Sequence, residues 1–215
     1  MLFRSHNKFM YKLVLFDFDG TIANTLDAGI PLFNEFARKY GFLEIRDKEE
    51  VRGFSLNQFI KNHRMSRTKF IFYFKKFLKR LNSKMDKVKP YDGITDVFKE
   101  LKINYRMAIL STNSKENIVR FLNRNNLLFY FEFIENYSLL LGKSNKIKRI
   151  MRKMNLKKNE VVYIGDDIRD IKASQKSGID IIAVTWGFHK KEILKEKNPT
   201  FIAEKPQDII KFLKL

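Results

Sequence analysis

The most constraining feature of this 215-residue chain is an apolar run at positions 11–16 that ends directly in Asp-Phe-Asp-Gly-Thr at positions 17–21. The run has the length and composition of a buried strand. Side chains two positions apart on a strand point to the same side, so Asp17 and Asp19 are expected to face one point in space. Two crowded carboxylates are costly to bury unless a cation or a phosphoryl-transfer reaction uses them. The motif therefore predicts a chemical site as well as a turn.

Beyond position 89 the chain alternates between short apolar strands and helices. The pattern predicts strands at 105–110, 131–134, 160–164, 180–185 and near 200, and helices at 93–102, 114–125, 144–154, 168–176 and up to 213. Such alternation is typical of an α/β fold with a doubly wound parallel sheet that is covered on both faces.

The segment between the first strand and position 89 has no strand pattern. Helices are predicted at 24–40 and 66–82, with one or two short helices at 47–63 broken near Gly53. The sequence thus predicts a core of residues 10–23 and 90–215, a small all-helical domain at 24–89, and an N-terminal extension at 1–9. The aromatic residues of 66–82 could form a base-stacking surface, but their helical spacing favours packing in a core.

Composition excludes several classes of protein. The chain has no cysteine, which rules out disulfides and thiolate metal sites, and its three histidines are scattered. No apolar run is long enough to span a bilayer and the N-terminus does not resemble a signal peptide, so a cytoplasmic protein without a membrane partner is expected.

The formal net charge is +19, and much of it lies in two segments, 61–89 and 142–158. Such segments can attract phosphates or nucleic acid, but lysines on solvated helix faces give the same pattern. Because the lysines interleave with apolar residues at core spacing, the second interpretation is favoured and a nucleic-acid partner is not expected.

Polar groups follow the predicted strands at the places where a doubly wound sheet binds ligands, outside the strands' carboxyl ends. They are the two motif carboxylates, Ser-Thr-Asn at 111–113, Gly-Asp-Asp-Ile-Arg-Asp at 165–170, and Lys143 at a helix start. Each alone has an ordinary explanation, as a turn, a helix N-cap or a solvated lysine. Their order along the alternating elements favours a shared site.

These groups fit one reaction. A carboxylate can attack phosphorus, and a second acid can protonate the leaving oxygen and then activate water. Oxygen ligands from Asp17 and Asp166 suit Mg²⁺. Thr112 and Lys143 can hold the remaining phosphoryl oxygens.

The four motifs resemble those of the haloacid dehalogenase-like hydrolase superfamily, over residues 10–213. In order they are Asp-Phe-Asp-Gly-Thr, Ile-Leu-Ser-Thr-Asn, Lys143 and the 165–170 sequence. The helical segment 24–89 stands where that family inserts a cap on its Rossmann-like core. The stretches 183–188 and 201–206 resemble the phosphoglycolate phosphatase-like branch.

The resemblance implies a role for each residue. Asp17 would be the nucleophile and a metal ligand, and Asp19 the general acid/base, which also gives its backbone carbonyl to the metal. Asp166 would be a metal ligand, and Asp170 would orient Lys143 or a metal-bound water. Thr112, Asn113 and Lys143 would bind the substrate phosphate. Asp167 would have a supporting role. Dehalogenases lack a carboxylate at the position of Asp19, so its presence favours phosphate chemistry.

Some assignments have alternatives. Position 143 lacks the lysine-proline pair common in the branch, so Lys146 and Lys148 are alternatives to Lys143. Arg52 and the following glycine resemble a phosphate-contacting pair in caps of the β-phosphoglucomutase-like branch, but a basic residue beside a helix-breaking glycine would look the same. Trp186 could equally pack in the core or contact substrate.

The sequence therefore predicts a Mg²⁺-dependent phosphatase that hydrolyses a small phosphorylated metabolite through an aspartyl-phosphate. A phosphomutase would use the same residues. The alternative that is not an enzyme is a basic nucleic-acid-binding protein on the same fold. The presence of all four site acids, Asp17, Asp19, Asp166 and Asp170, argues against it.

Overall fold

The computed structural model describes residues 11–54, 56–137 and 142–214, so the extension predicted at 1–9 lies outside the described residues. Six parallel strands form one sheet in the order β3-β2-β1-β4-β5-β6. They are β1 Leu13–Phe16, β2 Arg106–Ser111, β3 Phe133–Asn136, β4 Val161–Gly165, β5 Asp180–Val184 and β6 Phe201–Ala203. The predicted α/β fold with a parallel sheet is confirmed.

Helices connect and cover the strands. They are α1 Thr25–Tyr40, α2 Lys48–Val51, α3 Leu56–Asn62, α4 Arg67–Ser83, α5 Ile94–Leu101, α6 Lys115–Arg124, α7 Lys143–Lys153, α8 Ile168–Ser177, α9 Lys191–Lys195 and α10 Pro206–Lys214. Each predicted helix and strand is present within a few residues of its predicted ends. The short α9 was not predicted, because five residues are too few for a periodic pattern to stand out.

Strand β1 is central and fully buried, with β2 on one side and β4 on the other. Its residues alternate between two apolar cores. Val14 and Phe16 belong to the core that includes α5, α6 and α10 residues, while Leu13 and Leu15 belong to the core that includes α7 and α8 residues. Both faces of the strand are covered, which explains why its sequence is continuously apolar rather than alternating.

The sheet order places a crevice at the carboxyl end of β1. From β1 the chain builds outward to β2 and β3 on one side, and then to β4, β5 and β6 on the other. Connections on the two sides of such a reversal point lie on opposite faces, which leaves an opening at the strand ends between them.

Among the described residues of 24–89, the regular elements are all helical. Helices α1 and α4 pack through aromatic pairs: the ring centroids of Phe36 and Phe77 lie 6.2 Å apart and those of Tyr40 and Tyr73 lie 4.1 Å apart. The core-packing prediction for 66–82 holds on this side of α4. It is wrong for Phe74, which is 39% exposed, because this two-helix layer is too thin to cover the whole apolar face.

Across the described ranges, no helix combines the length and the apolar character that crossing a bilayer requires.

Candidate active site

Three chain segments deliver carboxylates to the carboxyl end of the sheet. Asp17 directly follows β1, and its backbone N–H donates to the carbonyl of Ile164 in β4 at 2.8 Å. Asp166 directly follows β4, and Asp170 lies in the first turn of α8. Carboxylate oxygens of Asp17, Asp166 and Asp170 all lie within 4.8 Å of one another. The ends of β1 and β4 and the first turn of α8 thus bring these three carboxylates together.

Lys143 is the cation at the centre of this cluster. It is the first residue of α7, its side chain is only 6% exposed, and its Nζ donates to Asp17 Oδ2 at 3.1 Å and to Asp170 Oδ1. Burial opposes the charge, but the two carboxylates outweigh it and raise the pKa of Lys143. Lys146 instead pairs with Glu135 at 2.7 Å, and Lys148 is exposed. Of the three lysines considered from the sequence, Lys143 is the one in the site.

The site carries more negative charge than Lys143 balances. Burial raises the pKa of Asp166 well above its usual range, and the nearby Asp170 and Asp17 raise it further. Burial also raises the pKa of Asp170 to about 7. Clustered buried carboxylates are hard oxygen ligands that a divalent cation would stabilise in their ionised form. The set of carboxylates from Asp17, Asp166 and Asp170 therefore fits a divalent cation such as Mg²⁺.

Asp19 lines the same cavity and is hydrogen-bonded to Asn113. The amide nitrogen of Asn113 donates to both carboxylate oxygens of Asp19, at 3.2 and 3.1 Å, and its Oδ1 accepts from the backbone of Ser114 at 2.8 Å. Burial raises the pKa of Asp19 to about 6, so it can hold or release a proton near neutral pH. The structure thus places Asn113 behind Asp19, whereas the sequence had assigned it to substrate phosphate.

A small cavity of about 40 Å³ opens above the carboxylates. Its lining contains Asp17, Asp19, Ser111, Thr112, Tyr137, Lys143, Asp166, Asp167, Arg169, Asp170 and Phe188. All the site residues predicted from the sequence line it except Asn113 and Arg52. A cavity of this volume admits only a compact group.

Several of these residues were missed by the sequence reasoning. Tyr137 and Phe188 lie in loops after β3 and β5, with no motif of their own. Arg169 lies inside the fourth motif, and its proximity to the acids was a usable signal. Thr21, inside the first motif, donates its hydroxyl to Asp166 at 2.9 Å. Trp186 lies outside the lining. Its indole N–H donates to the carbonyl of Thr21 at 3.1 Å, so its side chain packs against the turn that carries Thr21.

Arg52 bridges the helical segment to the loop after β5. Its side chain is 11% exposed and donates to the carbonyls of Gly187, at 2.7 Å, and Thr185, and to Glu49 at 2.6 Å. These three acceptors occupy all three guanidinium nitrogens. In this conformation Arg52 fastens residues near α2 to the core, and each of its guanidinium nitrogens already donates one hydrogen bond.

The comparisons with known proteins agree with this geometry. The family model described as haloacid dehalogenase-like hydrolase matches residues 14–184. A phosphoglycolate phosphatase of Synechococcus elongatus is 26% identical over 92% of this chain and 94% of its own length. A pyrophosphatase PpaX of Listeria monocytogenes is 25% identical, with the same coverage.

Solved structures show the same fold. A haloacid dehalogenase-like family protein from Streptococcus pneumoniae superposes with a TM-score of 0.81 at 21% identity, covering 94% of this chain and 98% of that one. A predicted phosphatase from Clostridium acetobutylicum gives 0.73 at 26% identity, with 96% and 100% covered. The chain belongs to the haloacid dehalogenase-like hydrolases, as its four motifs predicted, and its similarity to a phosphoglycolate phosphatase agrees with the branch that the stretches 183–188 and 201–206 resemble.

Gly20 gives a first testable prediction. A Cβ on Gly20 would lie 2.1 Å from Oδ2 of Asp166, and its φ is +81°. Gly41 has a similar φ, +73°, but nothing within 4 Å of the added Cβ. Gly41→Ala should therefore cost about 1 kcal/mol of unfolding free energy through backbone strain alone. Gly20→Ala should cost at least about 3 kcal/mol, since it also displaces a buried carboxylate. Urea unfolding of both variants measures the two losses of unfolding free energy. Equal losses would show that the side chain of Asp166 can move aside at no cost.

Arg52 gives a second testable prediction. Arg52→Ala removes two hydrogen bonds from a charged donor to partly buried carbonyls and should lower the unfolding free energy by about 2–3 kcal/mol. The matched control is Arg38→Ala, because Arg38 forms an ion pair with Glu44 while 60% exposed and should change stability by less than about 0.5 kcal/mol. Urea unfolding compares the two. Indistinguishable losses would mean that the Arg52 bridge contributes nothing to stability.

Proposed function

We propose that this hydrolase is a Mg²⁺-dependent phosphatase that forms an aspartyl-phosphate on Asp17. The observation that carries the proposal is the setting of Asp17 itself. Its Oδ1 accepts from the backbone N–H of Phe18 at 2.9 Å, its Oδ2 accepts from Lys143, and its carboxylate lines the small cavity. A carboxylate fixed at both oxygens and facing a small cavity is positioned to attack phosphorus.

The reaction has two steps. In the first, a carboxylate oxygen of Asp17 attacks phosphorus, the bond from phosphorus to the leaving oxygen breaks, and Asp19 gives that oxygen a proton. In the second, Asp19 takes a proton from water while the water oxygen attacks phosphorus. The bond to Asp17 then breaks, which releases phosphate and restores the carboxylate of Asp17 and the protonated form of Asp19. A pKa of about 6 suits Asp19 to both transfers.

The remaining residues hold charge and position. Lys143, kept in place by Asp170, and Thr112 would bind phosphoryl oxygens as negative charge develops on them. Asp17, Asp166 and the backbone carbonyl of Asp19 would hold Mg²⁺, which when bound lowers the repulsion between the attacking carboxylate and the phosphate. Asp167, as N-cap of α8, supports the loop that carries Asp166.

The helical segment 24–89 would act as a cap that closes over the cavity and excludes water. Its position directly after the nucleophile strand supports this, and so does the Arg52 bridge to the loop that carries Phe188. The small cavity favours a small substrate. Phosphoglycolate and pyrophosphate, the substrates named for two relatives, are the first to test.

The direct test is release of inorganic phosphate from a panel of phosphoglycolate, pyrophosphate, hexose phosphates and nucleotides, with Mg²⁺. Turnover of at least one small compound supports the proposal. A product that carries the phosphoryl group on another sugar hydroxyl would indicate a mutase instead. Salt-sensitive duplex binding without turnover of any phosphate would indicate the nucleic-acid-binding alternative.

A further inference from the structure

The rim of the cavity carries a second cation, Arg169, whose side chain is 70% exposed. We propose that Arg169 binds a second anionic group on the substrate, so that the enzyme selects short phosphate compounds with a carboxylate or phosphate near the phosphoryl group that is transferred. This inference rests on the proposed phosphatase function and names the substrate class of that site.

Arg169 is fixed from behind by Asp167. It is the second residue of α8, and its Nε and Nη2 donate to Asp167 Oδ2 at 3.0 and 2.7 Å. Asp167 is itself only 11% exposed at the side chain, and its other oxygen accepts from the Arg169 backbone at 2.7 Å. A two-point contact with a buried carboxylate orients the planar guanidinium, so that less side-chain freedom is lost when a ligand binds.

The front of the guanidinium is open. An arginine side chain has five N–H donors, and the contacts described for Arg169 use Nε and Nη2. Within the described part of the chain, Nη1 has no hydrogen-bond partner. Because Arg169 lines the cavity, the two donors on Nη1 and the second donor on Nη2 are available to bind both oxygens of a carboxylate or two oxygens of a phosphate.

Charge makes such a group necessary for a substrate with two anions. Five carboxylates line the cavity, namely Asp17, Asp19, Asp166, Asp167 and Asp170. Lys143 is buried between two of them. In the proposed reaction it binds the transferred phosphoryl group, so it cannot also bind a second anion at the rim. A second anion at the rim would lie near these carboxylates, and Arg169 would offset their repulsion.

The other arginine near the site is less well placed for this role in the observed conformation. Arg52 is outside the cavity lining, and its three nitrogens are bound to two carbonyls and Glu49. Among the residues that line the cavity, the cations are Lys143 and Arg169. Because the cavity of about 40 Å³ holds one compact group, the second anion must stay at the rim, a short chain away from phosphorus.

The test compares phosphoglycolate with 2-hydroxyethyl phosphate, which has the same chain length and a neutral end. With Mg²⁺ present, Arg169→Gln should lower kcat/KM for phosphoglycolate about 10- to 100-fold, mainly through KM, since a charged hydrogen bond to the ground state is lost. The loss on 2-hydroxyethyl phosphate should be at most about threefold. Arg169→Lys should recover part of the preference. Pyrophosphate in the same assay separates a phosphate from a carboxylate as the second anion.

Lys172→Gln is the matched control, because Lys172 is exposed on the same helix, lies outside the cavity lining and loses the same charge. This variant should leave kcat/KM unchanged for both substrates. Equal losses on both substrates in Arg169→Gln would overturn the proposal and leave Arg169 as a support for the Asp167 loop. No loss on either would overturn it as well.

Binding measured by calorimetry on Asp17→Asn separates this inference from the proposed function. Suppose that the native enzyme hydrolyses no compound of the panel, but that the Asp17→Asn variant binds phosphoglycolate at least about tenfold more tightly than 2-hydroxyethyl phosphate. If Arg169→Gln then abolishes that preference, the proposed function fails and the Arg169 site stands. Equal affinities for the two compounds would sink the Arg169 site whether or not turnover is seen.

Discussion

Asp17→Asn is expected to lower the turnover of every substrate at least about 10³-fold, because an amide cannot attack phosphorus as a carboxylate does. The substitution is nearly isosteric, and the new amide keeps an oxygen that can accept from Phe18 or Lys143. It also removes one of the crowded acids. The fold should therefore persist, and the loss should appear in kcat rather than in stability.

Phosphate release measures the rate, and rapid acid quenching measures the intermediate. Native protein quenched during turnover of a ³²P-labelled substrate should retain label that hydroxylamine removes, as an acyl phosphate requires, and Asp17→Asn should retain none. Asp96→Asn is the matched control, since Asp96 is an exposed residue of α5 paired with Lys99. Undiminished hydrolysis by Asp17→Asn would remove Asp17 as the nucleophile.

Removal of divalent cations is expected to abolish activity and to lower thermal stability together. The carboxylates of Asp17, Asp166 and Asp170 lie within 4.8 Å of one another with one buried lysine among them, so their mutual repulsion is only partly balanced. Mg²⁺ at 100 times its dissociation constant should stabilise the fold by about 2.7 kcal/mol, which raises Tm by about 5–10 °C for a chain of this size.

Thermal unfolding in EDTA and across a Mg²⁺ titration measures the shift, and phosphate release in the same samples measures activity. Asp166→Asn should lose most of the Mg²⁺-dependent shift, because it removes a ligand oxygen. The apo variant should be no less stable than apo native protein, because the substitution relieves repulsion around a buried acid. A rate unchanged by EDTA would exclude a metal from the mechanism. A Tm shift that survives Asp166→Asn would place the bound cation elsewhere.

The fold was predictable because its signals are local and repeated. The apolar run of β1 indicated a strand buried on both faces, and the alternation after position 89 indicated a parallel sheet. Where the signal was weak, prediction failed: α9 is one short turn, and the exposure of Phe74 on α4 depends on how many layers pack against that helix.

The candidate site was predictable in its acids and less so in their partners. Asp17 and Asp166 follow strands, so their convergence follows from the sheet. Asn113 follows a strand too, but nothing local indicated that its amide would bind Asp19 rather than a ligand. Arg52 is far from the site in sequence, and its commitment to the carbonyls of the loop after β5 is a long-range contact.

By itself the sequence determined the fold class, the family and the set of acids, because short motifs at strand ends specify backbone geometry within a few residues. The tertiary structure decided which polar groups remain free to act. It buried Lys143 between Asp17 and Asp170, turned Asn113 toward Asp19, tied Arg52 to carbonyls and left Arg169 open at the rim. The physical reason is that a side chain's availability depends on every neighbour that competes for its hydrogen bonds and charge, and those neighbours come from distant parts of the chain.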